Sequence, residues 1–476
     1  MGELQPARLK AFNDAKFGCF VHWGAYAVDG VEASWPVMLG PELQQRFIDA
    51  LHRIGMTEAE MPPVKTDLET YERLPQRFTA ERFDADEWAD LFRAAGQKYA
   101  VLTTKHHDGF ALFDTATTGY KSANTPFGRD VVRELSEACR TASVGFGTYF
   151  SAPDFHDDGY RDRSQPLPSN FLGQPERPEW NGFLDRMETQ VRELCSNYGE
   201  LFSFWWDIGF GPQWPIERFH RIVRELQPGC VINDRLGGLA AGLPAGLAAD
   251  FLTPEQAIPS AIPRRSTFRG PADPTLLFSL IQRDDWEAAV DAIAPALQSH
   301  FKARRDPTVP PLDDLLPWEA CMTFGGQWAW NPDLTTFKSG DDIIRALVET
   351  ASRGGNLLMN VGPRGDGSIQ PEFSTALRTV GGWLADHGDG LYGTTFGPIQ
   401  GVDHVRSTAS EAHIYLHLLP EAGARIELET ALPVTGGRVL GSGAPVAVTH
   451  ENGRTLVDLG RAPRHPVMTS VELDRR

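Results

Sequence analysis

Short apolar runs and amphipathic helical stretches take turns along most of this chain, and that alternation admits few folds. Eight such runs are present: Phe17 to Trp23, Tyr99 to Thr104, Val144 to Phe150, Leu201 to Trp206, Val231 to Asn233, Phe251 to Thr253, Ala320 to Phe324 and Asn356 to Val361. Each is nearly continuous in hydrophobic residues, as a strand covered on both faces must be. Between them, Asp84 to Ala94, Val131 to Thr141, Trp180 to Tyr198 and Asp341 to Ser352 carry apolar residues at helical spacing. Strands that alternate with helices pair in parallel. The pattern therefore predicts an α/β chain with a (β/α)8-like barrel.

Two stretches break the rhythm. Residues 261 to 316 are long for a single strand-to-helix connection. They open Pro/Arg-rich, hold a helical pattern from Thr275 to Arg304 and close on the Pro-rich segment Pro307 to Pro311. They predict an insertion at the end of the barrel where such connections gather. After about Tyr392, short alternating runs such as His413 to Leu418 and Ala424 to Leu428 are separated by Gly, Pro and Asn-Gly. That is the pattern of an antiparallel β-sandwich. The expected organisation is a barrel over 1–391, carrying the insertion 261–316, and a C-terminal sandwich over 392–476.

Charge and cysteine use narrow the partners. A formal charge of -18, from 63 acidic against 45 basic residues, argues against nucleic-acid and anionic-membrane partners, which demand a basic face. No uninterrupted apolar run approaches the length of a membrane span. The start, Met-Gly-Glu-Leu-Gln-Pro, lacks the apolar core of a secretory signal. The five cysteines are scattered and without CxxC spacing, as buried reduced thiols are in a cytoplasmic protein.

Two of the apolar runs stop at an acid. Residues 201 to 207 read Leu-Phe-Ser-Phe-Trp-Trp-Asp, and residues 251 to 255 read Phe-Leu-Thr-Pro-Glu. In a β/α barrel the C-terminal strand ends face the active site. Asp207 and Glu255 are thus presented to one pocket, where a pair of carboxylates suits glycoside hydrolysis: one as nucleophile or base, the other as general acid. His22 ends the first run, and Lys105-His106-His107-Asp108 follows the second. These histidines admit three readings, the first being a packing or supporting role behind the pocket. In the other two they hydrogen-bond sugar hydroxyls as neutral imidazoles, or with Asp108 they form a metal site like that of barrel amidohydrolases, although the usual His-x-His of the first strand is absent. Arg235 follows the fifth run, where a fixed positive charge near two acids depresses a carboxyl pKa or binds a hydroxyl. Tyr149 ends the third run. Trp35 and Trp328 lie in loops, as platforms for a sugar face or plugs over the barrel. The glycine-rich Arg353 to Pro363 has neither the Lys-Ser/Thr of a phosphate loop nor the GxGxxG order.

Taken together, these stretches resemble glycoside hydrolase family 29, the α-L-fucosidases. The resemblance runs through Lys16 to Tyr26 (KFGCFVHWGAY), Phe83 to Asp114, Tyr120 to Asp130, Phe204 to Gly209, Asn233 to Arg235, Phe251 to Gln256 (FLTPEQ), Trp318 to Pro332 and Ser352 to Gly367. It implies an imperfect barrel followed by a β-sandwich, and a retaining mechanism on fucosylated oligosaccharides with no metal or organic cofactor. It places the nucleophile at Asp207 and one branch's acid/base at Glu255. It carries fucose-binding roles to His22, Trp35, His106, His107, Tyr149, Trp205 and Arg235. A glycosidase of another sugar specificity and an inactive fucose-binding homologue are the alternatives. Two departures stand out. Ser34-Trp35 takes the place of the family's Glu-Trp, so the glutamate's role is unfilled unless Glu32 reaches in. The insertion 261–316 is longer than usual; it moves Glu255, caps the pocket or makes a subunit contact, so a homo-oligomer is open. Glu32 and Glu319 are the rival acid/base candidates, and Glu319, at the start of its strand, is expected at the wrong end of the barrel.

Overall fold

The computed structural model describes residues 4–39, 41–53, 66–164, 173–209, 213–237, 243, 246–259, 262–263, 280, 283–292 and 315–476. Seven parallel strands form one curled sheet: β1 (Phe17–Val21), β2 (Tyr99–Lys105), β3 (Gly145–Ser151), β4 (Ser203–Asp207), β5 (Val231–Ile232), β6 (Glu319–Met322) and β7 (Asn356–Val361). Their spatial order is β5-β4-β3-β2-β1-β7-β6. The sixth expected run lies in the gap between the two edges. Asn233 bridges Phe251 and Leu252 bridges Trp318, both in parallel sense. Asp250 N–H donates to Ile232 O at 2.6 Å, and Glu319 N–H donates to Leu252 O at 2.8 Å. The ring is thereby closed by isolated bridges rather than by a full strand. The physical reason is local: the run is three residues long and stops at Pro254, which has no N–H to give a ladder.

Inward and outward residues alternate along each strand. On β4, Trp205 joins an interior cluster with Phe12, Phe20, Tyr99, Val101, Tyr149, Val231, Phe251, Cys321 and Leu358. Its neighbours Phe204 and Trp206 join the larger cluster between the barrel and its helices. Full burial of each such side chain contributes about 1.5–3 kcal/mol. The expected helices form as α1 (Ala85–Ala94), α2 (Val131–Thr141), α3 (Trp180–Asn197) and α5 (Gly340–Ala351). Asp84, Asp130 and Ser339 cap three of them, accepting from backbone N–H groups of the first turn. Among the described residues the helices α4 (Ile216–Leu226) and α6 (Pro371–His387) join the outer layer beyond those expected.

The remaining strands are antiparallel: β8 (Thr395–Phe396), β9 (Val405–Ala409), β10 (His413–Leu418), β11 (Arg425–Leu428), β12 (Val434–Val439), β13 (Pro445–Glu451), β14 (Arg454–Asp458) and β15 (Thr469–Arg475). Their order is β11-β14-β13-β12-β15-β10-β9-β8. β11 stands at one edge, far in that order from β10, yet Ile426 and Leu428 share one buried cluster with Ile414 and Leu416. The sheet folds over itself into a sandwich. Asn452 and Gly453 turn the β13–β14 hairpin with φ of 53° and 78°, the left-handed pair that a two-residue turn needs. The sandwich rests on α6, where Trp383 Nε1–H donates to Met468 O at 2.9 Å. The expected insertion falls largely outside the described residues. Among the described residues no helix is long and apolar enough to cross a membrane. All five cysteines are buried and free.

Candidate active site

Strand alternation sets the site. Trp205 faces the barrel interior, so Asp207, two residues on, faces it as well, at the C-terminal end of β4. The same parity carries Phe20 to His22 past β1 and Leu358 to Asn360 on β7. Asp207 is buried, and three groups converge on its carboxylate. Tyr149 O–H donates to Oδ2 at 2.7 Å, Arg235 Nη1–H donates to Oδ1 at 3.1 Å, and His107 Nε2 lies 3.4 Å from Oδ2. Burial alone pushes an acid up. Here the His107 contact, the Arg235 charge and the Tyr149 hydroxyl overcome burial and hold Asp207 well below the usual carboxylate range.

Arg235 ties this carboxylate to the second one. Its Nη2–H donates to Glu255 at 2.8 Å, while its Nε–H donates to Thr253 Oγ1 at 3.0 Å. The guanidinium lies over the Trp205 ring, 4.8 Å from its centre. Asp207 and Glu255 are thus bridged by one guanidinium. They differ in depth: the Asp207 side chain is 10% exposed and that of Glu255 is 44% exposed. Trp205 is fixed from below, donating from Nε1 to Glu319 at 3.1 Å, and Tyr149 stacks on it at 5.5 Å.

Each of the three histidines is held by its Nδ1. His22 Nδ1 lies 2.6 Å from Asn360 Oδ1. Asn360 gives its own N–H to Trp328 O at 2.7 Å, so its oxygen must accept, and the proton sits on His22 Nδ1. His22 Nε2 is then left as an acceptor, the state suited to a sugar hydroxyl. Burial pushes His22 down to about 3, against the Asn360 bond that raises it. His106 Nδ1 contacts Ser34 Oγ at 2.6 Å, and the ring lies flat against Tyr149 with centroids 5.4 Å apart. Burial depresses His106 well below the ordinary range as well. His107 Nδ1 contacts Ser151 Oγ at 2.5 Å. Among the described residues these imidazoles and Asp108 do not bring three ligand atoms within 4.8 Å of one another. Asp108 turns away to accept from the Tyr71 hydroxyl at 2.7 Å.

The remaining candidates occupy distinct places. Trp35 starts a short helix beside Ser34, and its ring packs on Phe47. Trp328 packs its ring on His22 with centroids 4.8 Å apart. Glu32 does reach inward, and its two oxygens accept from Trp328 N–H at 2.8 Å and Ala329 N–H at 3.0 Å. Burial raises Glu32 to about 7, although those two bonds oppose it. Glu319 is buried under Trp205 and accepts from Tyr99, the first residue of β2, which sets it at the N-terminal end of the barrel. Sequence reasoning missed Asn360 and Thr253, and it missed the serines Ser34 and Ser151 that hold His106 and His107. Strand parity was the available signal for three of them, from Leu358 to Asn360, from Tyr149 to Ser151 and from Phe251 to Thr253; Ser34, in a loop, had none.

The α-L-fucosidase family model matches residues 4–389. This chain belongs to the α-L-fucosidase family. Membership makes it a glycoside hydrolase, an α-L-fucosidase, acting on fucosylated glycans. The human plasma α-L-fucosidase is 28% identical over 401 residues, spanning 82% of this chain and 71% of that protein. The solved α-L-fucosidase isoenzyme 1 of Paenibacillus thiaminolyticus shares 29% identity, covers 99% of this chain and 100% of its own, and superposes with a TM-score of 0.75. A Bacteroides thetaiotaomicron α-L-fucosidase, solved as a trapped covalent intermediate with 2-fluoro-fucosyl fluoride, shares the fold at 22% identity, with a TM-score of 0.72 and coverage of 99% and 96%. The barrel followed by a sandwich is the architecture this fucosidase has in common with the two solved structures.

Proposed function

We propose that this α-L-fucosidase is a retaining exo-glycosidase that releases α-L-fucose by double displacement. Asp207, ionised, attacks C1 of the fucosyl unit while protonated Glu255 gives its proton to the departing oxygen. The C1–O bond breaks as the C1–Oδ bond forms. Glu255, now a base, takes a proton from water, which hydrolyses the fucosyl-aspartate ester and returns Asp207 as a carboxylate. The observation that carries this reading is the convergence of Tyr149, Arg235 and His107 on Asp207, which keeps a buried carboxylate charged. The greater exposure of Glu255 suits a group that meets the leaving sugar at the mouth of the site. The covalent intermediate trapped in the Bacteroides relative supports a retaining course. His22, His106 and His107 bind sugar hydroxyls in this reading, and Trp205 and Tyr149 form the apolar wall behind the ring.

The test is Asp207→Ala. Turnover of 4-nitrophenyl α-L-fucoside should vanish, and azide should partly restore it by entering the space the carboxylate leaves and attacking C1 with inversion. Near-wild-type turnover in the variant, or rescue that yields the retained azide, would sink the assignment.

A further inference from the structure

We propose that Gln256 is a positioning residue for Glu255, acting through a side-chain brace to Thr323; this rests on the reading of Glu255 as the acid/base. The stretch that presents Glu255 is where the barrel's ladder is thinnest. It is tied to its neighbours by isolated bridges, Glu255 itself pairing with Cys321. Pro254, just before it, has no N–H to contribute. Gln256, just after it, sits at φ 51°, a left-handed conformation that a non-glycine residue keeps only when its surroundings hold it there.

The holding groups are its own amide and backbone. Gln256 Nε2–H donates to Thr323 Oγ1 at 2.9 Å, and Thr323 N–H donates back to Gln256 Oε1 at 3.1 Å. The backbone N–H of Gln256 donates to Cys321 O at 2.9 Å. Thr323 is a fixed anchor: it is fully buried, its Oγ1 accepts from Gly326 N–H at 2.8 Å, and its carbonyl accepts from Lys338 Nζ at 2.7 Å. A side-chain amide thus adds two rungs where the backbone pairing, Cys321 N–H to Pro254 O at 3.1 Å and Gln256 N–H to Cys321 O, runs out one residue beyond Glu255. A general acid works only within hydrogen-bond reach of the atom it protonates, so a small displacement at this loop is felt in proton transfer first.

The discriminating readout is leaving-group dependence. Methyl α-L-fucoside needs a proton delivered to its departing oxygen; 4-nitrophenyl α-L-fucoside does not. kcat/KM, which reports the first displacement, is measured on both for wild type, Gln256→Met, Thr323→Val, Thr323→Ser and Glu255→Ala, with melting temperatures alongside. Gln256→Met and Thr323→Val should lose about tenfold or more on the methyl fucoside relative to the nitrophenyl one. Thr323→Ser keeps the hydroxyl and should preserve the wild-type ratio. Equal losses on the two substrates, or no loss, would overturn the inference, and the Thr323 pair decides it should Gln256→Met fail to fold. Glu255→Ala separates the two levels. If it shows the leaving-group effect and the brace variants do not, the positioning role alone fails. If it shows none, the acid/base reading falls and the inference with it.

Discussion

Removing the charge of Arg235 should move the acid side of the activity profile, and the size of that movement follows from the geometry. Arg235 Nη1 lies 3.1 Å from Asp207 Oδ1, and the two side chains are 15% and 10% exposed. Two unit charges about 4 Å apart interact by about 4 kcal/mol at an effective dielectric near 20. Each 1.4 kcal/mol is about one pKa unit, so about three units is the ceiling. His107 and Tyr149 still hold the carboxylate after Arg235 is gone, and an arginine beside an aspartate typically depresses it by about 1–3 units. The nucleophile works ionised, so activity is lost as pH falls through its pKa. With Arg235 present that loss is deferred to strongly acidic pH; in Arg235→Met burial regains the upper hand, and the acid limb of kcat/KM should rise by about 1–3 pH units. The assay uses 4-nitrophenyl α-L-fucoside, whose leaving group departs without a proton, so that kcat/KM reads the nucleophile. Arg235→Lys keeps the charge without the fork and should move the limb less. An acid limb in Arg235→Met that coincides with wild type, in protein shown to be folded across the range, would refute the argument that Arg235 holds Asp207 charged.

Two further expectations concern histidines. His106→Ala and His107→Ala should each lose about 1–3 kcal/mol of transition-state stabilisation per buried hydrogen bond removed, measured as kcat/KM on an aryl fucoside; stoichiometric zinc or manganese in the active enzyme, with activity lost on chelation, would contradict the sugar-binding role. In the sandwich, His417 is buried between Thr408 Oγ1 and Ser470 Oγ, each at 2.9 Å, and burial pushes it down to about 3. An unfolded histidine titrates near 6.5, so between that pH and about 3 the unfolded chain binds the extra proton. Stability should fall as pH drops from about 6.5 toward 3. His417→Gln should shrink the difference between urea midpoints at pH 7 and pH 4, and an unchanged difference would count against it.

Much of this enzyme was legible in its local pattern. The apolar runs and the helical spacing between them specify a parallel barrel, because strand and helix periods are written residue by residue. Asp207 and His22 stand where their apolar runs end, and strand ends face the pocket. Asp84, Asp130 and Ser339 announce helix starts by chemistry that acts within three residues. Glu319 at the head of its strand could be set aside as lying at the far end of the barrel. What the pattern could not give is which side chains meet across the ring. His22 meets Asn360 from 338 positions away, Glu32 meets the backbone of Trp328 from 296 away, and Arg235 spans Asp207 and Glu255 from 28 and 20 away. Those meetings depend on the curvature that brings β5 round to β6 and on the register in which the strands pair. Neither is encoded in any short stretch, because both emerge only when the whole ring closes. The same closure converts the three-residue run at Phe251, too short to form a strand, into the bridge that sets Glu255 beside Arg235.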